Sequence, residues 1–332
     1  MEVRPATLDE VRTAQAKGET LKLVRLALDM QSAITEKEMH TNFFSTLERG
    51  FKSVIPYLGK HTGSCSLVGS GPSIKETYKE IVGDIVSINS SIWFLLEKEI
   101  VPKYHMIWDA FEVCEKFAVP HPDITYLIAS RCHPKVFENL KDCKVVVWHA
   151  GGDHDIIDVM SRADVQEKMG GVQPLINGGS AGITRGMFVA HSLGYTDMHI
   201  FGGDSSYSMD GATHVMGSVV REKDVMIALG DGSAGAPPMW FRTTPEWCQQ
   251  VNEYRLMYAL YVPNKIANLT VHGGGLLGEM HKRLVGKLEL QGPEKFLAEV
   301  AGQEVTQREA DALASGKSAE LPTNEITFKG IN

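Results

Sequence analysis

The stretch Cys65-Ser66-Leu67-Val68-Gly69-Ser70-Gly71-Pro72-Ser73-Ile74-Lys75-Glu76 decides the fold prediction for this chain. It has the pattern of a short apolar strand, a glycine turn and the first turn of a helix. Gly69 and Gly71 allow positive φ angles and a backbone that a ligand can approach. Ser73 and Glu76 have the spacing of a capping box, and apolar residues then repeat at helical spacing. A helix start of this kind offers N–H groups and partial positive charge, which favours a bound phosphate.

The glycine turn differs from the two commonest phosphate-binding loops. Ile74 stands where the third glycine of a dinucleotide fingerprint belongs, and the next strand ends at Asn89 instead of an acidic residue. A lysine in the P-loop frame is absent, which disfavours a Walker-type NTPase. Taken alone, the turn is as consistent with ordinary strand-to-helix packing as with phosphate binding.

The composition is that of a soluble globular protein. The 332 residues are 43% hydrophobic and 22% charged, and the formal net charge is −8. This charge disfavours a nucleic-acid partner without excluding one, and the apolar runs are too short to span a membrane. The N-terminus has no apolar signal region, so we expect a cytoplasmic protein. The cysteines are odd in number and scattered along the chain, which fits reduced thiols: Cys65, Cys114, Cys132, Cys143 and Cys248.

Strands and helices alternate from residue 64 to about 204. Short apolar runs predict strands at 66–69, 85–89, 105–109, 125–129, 144–148 and 198–202, and helices fill 73–82, 91–98, 133–140, 156–168 and 180–193. This succession predicts an α/β fold with a Rossmann-like, doubly wound and mostly parallel sheet. Ligands of such sheets bind beyond the carboxyl ends of the strands. Polar or glycine residues stand at those ends: Gly69, Asn89, Asp109, Ser130, His149 and Gly202 to Asp204.

The chain divides into four predicted regions. Residues 1–58 form a helical arm, with a capping-box spacing at Thr7 and Glu10 and an amphipathic segment from Phe43 to Ile55 that is a candidate packing arm or homo-oligomer contact. Residues 59–220 form the nucleotide-binding domain. Residues 221–291 complete it, with a lid or hinge at Gly230 to Pro238 and a helix starting at Thr244-Pro245. Residues 292–332 are a polar C-terminal appendage with one helix from Pro293 to Val300.

A second glycine-rich stretch, Asn177-Gly178-Gly179-Ser180-Ala181-Gly182-Ile183-Thr184, opens a helix that stops at Gly194. The following strand ends in Gly202-Gly203-Asp204. Polar residues at the loop edge predict that Asn177, Gly179, Ser180 and Gly203 contact the same ligand as the first turn. The alternative is tight helix–sheet packing, which also needs small residues.

Several of these stretches together resemble the MptE-like family, whose founding activity is 6-hydroxymethylpterin diphosphokinase. They are Gly69 to Ser73, Ile88 to Ser91, Pro102 to Asp109, Gly178 to Ser180, Gly202 to Asp204 and Asn268 to Gly275. The resemblance covers about residues 43 to 285. It extends to Maf-type flagellin glycosyltransferases, which carry the same domain, and to bacterial sialyltransferases, which are similar in plan.

The departures from this family favour one activity within it. The pterin enzymes carry paired aspartates after the third strand, whereas this strand ends in Asp109 alone, and one carboxylate is a poor clamp for Mg²⁺ and a triphosphate. Asp204 could supply a second carboxylate from another strand. The run from Leu193 to Asp204 is closer to the sialyltransferase-like pattern, in which a histidine beyond the last strand acts as base. His214 occupies a comparable place.

The resemblance therefore implies glycosyl transfer from a CMP- or UDP-linked sugar to an acceptor hydroxyl. His214, Asp204 and Tyr207 are the predicted catalytic residues, with His214 as base and Tyr207 as a donor to the leaving phosphate. The nucleotide would bind Gly69, Ser70, Gly71, Pro72 and Ser73 through its phosphate and Asn89 through its ribose or base, next to Asp109. No metal ligand is predicted. Mg²⁺ would be needed only under the alternative hypothesis, an ATP-dependent diphosphokinase acting on a hydroxymethyl group of a pterin-like substrate. A non-catalytic nucleotide-binding module is the third hypothesis. The alternatives for single residues are a solvated loop position for His214 and a surface tyrosine without a catalytic role for Tyr207.

Overall fold

The computed structural model describes residues 34–151, 154–216, 224–229 and 239–299. The strands in these ranges are β1 (Lys52–Ser53), β2 (Ser64–Val68), β3 (Asp84–Ile88), β4 (Tyr104–Ile107), β5 (Thr125–Ala129), β6 (Lys144–Ala150), β7 (Leu175–Ile176), β8 (Asp197–Phe201), β9 (Val225–Leu229), β10 (Met239–Thr243) and β11 (Asn268–Val271). All but β9 and β10 belong to one nine-stranded sheet with the order β1-β6-β5-β4-β3-β2-β8-β11, and β7 also pairs with β6.

Every pairing within the large sheet is parallel. The residues of β4 and β5 are buried along the whole length of both strands, which explains why their sequences do not alternate between apolar and polar. The predicted α/β fold with a doubly wound parallel sheet is confirmed. Its six predicted central strands correspond to β2, β3, β4, β5, β6 and β8.

The α-helices are α1 (Glu36–Glu48), α2 (Ile74–Thr77), α3 (Ser91–Glu97), α4 (Pro134–Asn139), α5 (His154–Ser161), α6 (Ala163–Lys168), α7 (Gly182–Leu193), α8 (Pro245–Tyr261) and α9 (Gly275–Gln291). Three 3-10 helices accompany them: η1 (Ile55–Tyr57), η2 (Tyr78–Glu80) and η3 (Glu112–Phe117). A further helical turn covers 293–299. The start of α8 is as predicted, because Thr244 accepts the N–H of Trp247 and Pro245 occupies the first helical position.

The strand order reverses direction between β2 and β8. From β2 the chain adds β3, β4, β5 and β6 on one side, and it later adds β8 and β11 on the other side. The long crossover from β6 to β8 ends in α7, which packs over β2 and β3. Because chain segments leave β2 and β8 in opposite directions, the ligand crevice of a doubly wound sheet is expected beyond the carboxyl ends of these two strands. This switch point positions the candidate site.

Three helix predictions need correction. The helix predicted over 156–168 is divided into α5 and α6, because Arg162 between them has an extended backbone (φ −68°, ψ 136°). The amphipathic segment from Phe43 to Ile55 is not one helix, because α1 starts earlier, at a capping box between Thr35 and Glu38, and ends at Glu48. Lys52 and Ser53 then pair with β6 as an edge strand. The helix predicted over 73–82 is shorter, because it gives way to η2 and the chain then turns at Gly83, whose φ is +66°.

Several sequence predictions lie outside the described residues. They are the capping-box spacing of Thr7 and Glu10, the lid at Gly230 to Pro238, and the tail from residue 300 onward. No helix in the described part of the chain is long and apolar enough to cross a membrane. The five cysteines are all described and none is bonded to another.

Candidate functional site

The glycine turn after β2 is tied by hydrogen bonds to the end of β8. The N–H of Gly69 donates to Phe201 O (2.8 Å) and the N–H of Gly71 donates to Gly202 O (2.8 Å). The N–H and the hydroxyl of Ser73 both donate to Oδ2 of Asp204, at 3.3 and 3.0 Å. The backbone donors of Gly69, Gly71 and Ser73 are therefore already engaged, and an anion over this turn must share the donors of Ser73 with a carboxylate.

Two expectations about this turn are wrong. Neither Gly69 nor Gly71 has a positive φ angle. Glycine is required by close approach instead, because a Cβ on Gly71 would lie 2.0 Å from Asp204 Oδ2 and one on Gly69 would lie 2.6 Å from Gly202 O. The capping box of Ser73 is also absent, since its side chain makes no cap bond and binds Asp204.

Asp204 lies at the centre of the switch point. Its side chain is buried, and this burial raises the pKa of its carboxyl to about 6, although the hydrogen bonds from Ser73 act in the opposite direction. The carbonyl of Asp204 accepts the N–H of Leu277 at the start of α9, and Gly275 packs against its backbone. Gly203 lies one residue earlier, where a Cβ would meet the side chain of Ile200 at 2.9 Å. The predicted residues at the end of β8 thus lie beside the predicted turn after β2.

Asn89 and Asp109 form a pair beyond the ends of β3 and β4. Asn89 has a φ of +49°, and its Nδ2 donates to Oδ2 of Asp109 at 2.9 Å. Oδ1 of Asn89 is buried and has no hydrogen-bond partner in the described ranges. Burial raises the pKa of Asp109, while the bond from Asn89 and the charge of Arg131 lower it. The backbone strain and the unpaired acceptor together mark Asn89 as a candidate ligand contact.

The start of α7 lies over the end of β3. A Cβ on Gly182 would lie 3.0 Å from Ile88 and 3.9 Å from Nδ2 of Asn89, and one on Gly186 would lie 2.7 Å from Ile88. This close contact supports the packing explanation for the small residues of α7. Gly178 and Gly179, in the preceding loop, have φ angles of +95° and +76°.

The carboxylate of Glu253, on α8, caps the loop before α7. Its Oε2 accepts the N–H of Ser180 and the hydroxyl of Thr184, both at 2.8 Å. Asn177 is exposed and stands next to Gly151, at the end of β6. Asn177 thus lies at the end of β6, and four strand spacings, about 19 Å, separate β6 from β2. The structure therefore brings Gly182 to Asn89 but leaves Asn177 away from the switch point.

The two remaining predicted catalytic residues lie in different surroundings. The N–H of Val215 donates to Ser70 O at 2.7 Å, which holds His214 next to the glycine turn. Nδ1 of His214 lies 3.0 Å from Oγ1 of Thr213. Tyr207 donates its hydroxyl to Asp224, and the guanidinium of Arg242 lies 4.3 Å from the centre of its ring. A role for Tyr207 at a leaving phosphate requires the bond to Asp224 to break.

Two polar side chains that sequence reasoning missed shape this edge of the sheet. Ser91 lies with its hydroxyl 2.7 Å from Val68 O and accepts the N–H of Ile88, so it joins the ends of β2 and β3. Glu253 is the other, as the acceptor before α7. The two serines that follow Asn89 in the sequence were a weak signal for the role of Ser91. Nothing in the sequence around Glu253 indicates a contact with Ser180, 73 positions earlier.

The two predicted carboxylates at this edge of the sheet follow strands that are not neighbours. Asp109 follows β4 and Asp204 follows β8, and these strands are separated by β3 and β2. Three strand spacings correspond to about 14 Å, whereas Mg²⁺ holds its ligands at about 2.1 Å. Within the described ranges no group of three His, Cys, Asp or Glu side chains is arranged to hold a metal.

Comparisons with known proteins add to these observations. No curated protein sequence matches the chain. One similar solved structure is that of a MAf glycosyltransferase from Magnetospirillum magneticum AMB-1, at 15% identity and a TM-score of 0.49, over 88% of this chain and 46% of that one. The chain thus spans about half the length of that glycosyltransferase chain.

A family model described as 6-hydroxymethylpterin diphosphokinase MptE-like matches residues 37–210. The matched region is more than half of the 332 residues and runs from α1 past the end of β8. It includes the glycine turn, Asn89, Asp109 and Asp204. The resemblance drawn from the sequence motifs is confirmed, and the chain belongs to the MptE-like family.

Proposed function

We propose that this protein is a nucleotide-dependent transferase that moves a glycosyl group from a nucleotide sugar to an acceptor hydroxyl. Membership in a family described by a diphosphokinase supports a nucleotide-related transferase in general. The observation that carries the proposal is the end of β3, next to the β2/β8 switch point, where Oδ1 of Asn89 is a buried acceptor without a partner among the described residues and Gly182 lies close by. Ligands of doubly wound sheets bind at such a point.

Glycosyl transfer is favoured over diphosphate transfer by the position of the carboxylates. An ATP-dependent diphosphokinase needs Mg²⁺ held between protein carboxylates and the phosphates. Asp109 and Asp204 are separated by three strand spacings, which counts against their sharing one ion. The family description favours the diphosphokinase, so this remains the second candidate.

His214 has the role of general base in this proposal. The acceptor hydroxyl loses its proton as the bond between the sugar and the leaving phosphate breaks, and an imidazole titrates in the right pH range to accept it. The hydrogen bond between Val215 and Ser70 holds His214 beside the turn that faces the nucleotide. The leaving phosphate gains negative charge, which the hydroxyl and N–H groups of Ser70 and Ser73 stabilise.

Asp204 makes phosphate binding at Ser73 dependent on protonation. An ionised carboxylate repels a phosphate that approaches the same donors, whereas a protonated one does not. Since burial raises the pKa of Asp204 to about 6, the neutral form is accessible near physiological pH. We therefore expect nucleotide binding at this turn to take up a proton.

Titration of the purified protein with CMP, UDP and ATP, each with and without Mg²⁺, tests the proposal. Binding of CMP or UDP that does not need Mg²⁺ supports the glycosyltransferase. Binding of ATP only with Mg²⁺, followed by release of AMP, overturns it in favour of the diphosphokinase. Tight nucleotide binding without turnover of any nucleotide sugar identifies a non-catalytic module, and absence of binding to all three rejects a nucleotide site.

A further inference from the structure

The Asn89 carboxamide is held in one orientation by its neighbour. Its Nδ2 lies 2.9 Å from Oδ2 of Asp109, and a carboxylate oxygen accepts a hydrogen bond but cannot donate one when it is ionised. With Asp109 ionised, the NH2 group therefore faces Asp109, as it does in the structure. The amide oxygen then faces away from it, and this Oδ1 atom is the buried acceptor that lacks a partner in the described part of the chain.

The backbone supports the same orientation. Asn89 has a φ of +49°, a conformation that costs free energy for residues other than glycine and is common at ligand sites. Its N–H donates to Met106 O at 3.0 Å, which fixes the residue against β4. A buried acceptor without a partner also costs free energy, which a ligand can recover by donating a hydrogen bond to it.

We propose that Asp109 is a positioning residue that turns the Asn89 amide oxygen toward the ligand, so that the ligand group bound there is a hydrogen-bond donor. A ribose hydroxyl and an exocyclic amine of a base are the nucleotide groups with this chemistry. An ionised phosphate oxygen is excluded from the position, because it has no hydrogen to donate. The inference rests on the proposed function, since the crevice is taken to hold a nucleotide.

Reciprocal isosteric substitutions test the positioning role. Asn89→Asp places two carboxylates in contact and should weaken nucleotide binding at least 10-fold. Asp109→Asn lets either amide rotate and should weaken it less. The double variant Asn89→Asp/Asp109→Asn restores the contact with donor and acceptor exchanged and keeps an oxygen toward the ligand, so binding should recover to within a few-fold of the wild type.

The double variant separates positioning from mere structural support. If the ligand instead offers a phosphate to the Asn89 NH2 group, the double variant carries a carboxylate next to an anion and binds worse than either single variant. That result overturns the inference. Asn264→Asp and Asp142→Asn change the same charges at exposed positions and should leave binding unchanged. Thermal unfolding of all variants identifies any that fail to fold. If a variant does not fold, the inference is judged by the binding of nucleotide analogues to the wild-type protein.

Nucleotide analogues identify the donor group. The probe is whichever of CMP, UDP and ATP binds the wild-type protein, compared with its 2′,3′-dideoxy form, and CMP is also compared with UMP, which lacks the amine. Removal of the donor should weaken binding about 10- to 100-fold, as expected for a buried acceptor left unpaired. In Asn89→Ala the same analogues should bind equally. If neither analogue loses affinity in the wild-type protein, no donor binds Asn89 and the inference fails.

Failure of the proposed function can be told apart from failure of this inference. If no nucleotide binds the wild-type protein, the proposed function fails and the ligand part of the inference fails with it. The pairing of Asn89 with Asp109 is then judged by NMR without ligand. The Asn89 side-chain NH2 signals, assigned by their loss in Asn89→Asp, should shift in Asp109→Asn, and unchanged signals reject the pairing.

Discussion

The carboxyl group of Asp204 is buried against the glycine turn, where Ser73 donates two hydrogen bonds to one of its oxygens. Its pKa rises from 3.8 to about 6 because burial disfavours the charged form more than the two bonds favour it. In the pH range between these values the folded protein holds this proton and the unfolded chain has lost it. The stability that protonated Asp204 contributes is therefore lost as the pH rises from 3.8 through about 6, and it stays lost at higher pH.

The variant Asp204→Asn should be more stable than the wild type at pH 8. The amide cannot ionise and still accepts the bonds from Ser73, so the advantage should grow from pH 4 to pH 6 and reach about 3 kcal/mol. Urea unfolding at pH 4, 6 and 8 measures the difference, with Asp142→Asn as an exposed control. A difference that does not change with pH would contradict the role assigned to Asp204.

His214 is the residue whose removal tests the proposed chemistry. His214→Ala should lower kcat by about 10²- to 10⁴-fold, the usual contribution of a general base, with a smaller effect on KM. His121→Ala is a suitable control, because His121 precedes β5 at the opposite edge of the sheet. Turnover of the nucleotide sugar at saturating acceptor provides the measurement, and unchanged kcat would remove His214 from the mechanism.

At the scale of elements, the contact between β2 and β8 depends on glycine. Gly71→Ala places a Cβ 2.0 Å from Asp204 Oδ2 and 2.6 Å from Gly202 O, so the turn and the end of β8 must separate. We expect a loss of stability of about 2 kcal/mol or more, as for other overpacked cores. Nucleotide binding should also weaken, because the same contact forms the crevice.

Gly286→Ala is the matched control for this substitution. Gly286 lies inside α9, and a Cβ there meets nothing within 4 Å. Alanine favours the helix over glycine by about 0.5–1 kcal/mol, so this variant should be slightly more stable than the wild type. Thermal or urea unfolding compares the two. Equal changes in stability for Gly71→Ala and Gly286→Ala would show that the close approach at Gly71 does not contribute to stability.

The sequence patterns located most central elements but missed some at the periphery. Six central strands and α7 contain apolar runs bounded by turn residues, and these agree with the structure within a few positions. The helix α9 was missed because it opens with glycines, although Leu276, Leu277, Met280 and Leu284 repeat at helical spacing and are buried. The segment after Glu48 was assigned to a helix because local spacing cannot indicate pairing with β6, almost a hundred residues later.

For the whole molecule, buried histidines should dominate the response to acid. His105, His149 and His281 are buried, and burial lowers the pKa of each to about 4. Below pH 6.5 the unfolded chain binds protons at these positions and the folded protein does not. Stability contributed by the neutral histidines is therefore present above pH 6.5 and is lost as the pH falls toward 4, opposite to the effect of Asp204.

Three such groups give a slope of up to about 4 kcal/mol per pH unit. In His105→Gln the side chain stays neutral, so the slope between pH 6.5 and 4 should fall by about 1.4 kcal/mol per pH unit, which is a third of the histidine contribution; Asp204 opposes that contribution between pH 4 and 6. Urea unfolding over this pH range measures both proteins. An unchanged slope would show that His105 becomes protonated in the folded state.

The sequence by itself determined the α/β class, the central strand succession and the polar residues at the strand ends, because these depend on local hydrophobic periodicity and turn chemistry. It also carried the motifs that identify the MptE-like family. The tertiary structure decided which strand ends are neighbours. In the structure Asp204 lies against the turn after β2, whereas Asn177 lies away from that turn. Gly71 is needed because the turn approaches Asp204 and Gly202 closely. Contacts between residues more than a hundred positions apart depend on strand order and side-chain packing, and no local pattern encodes them.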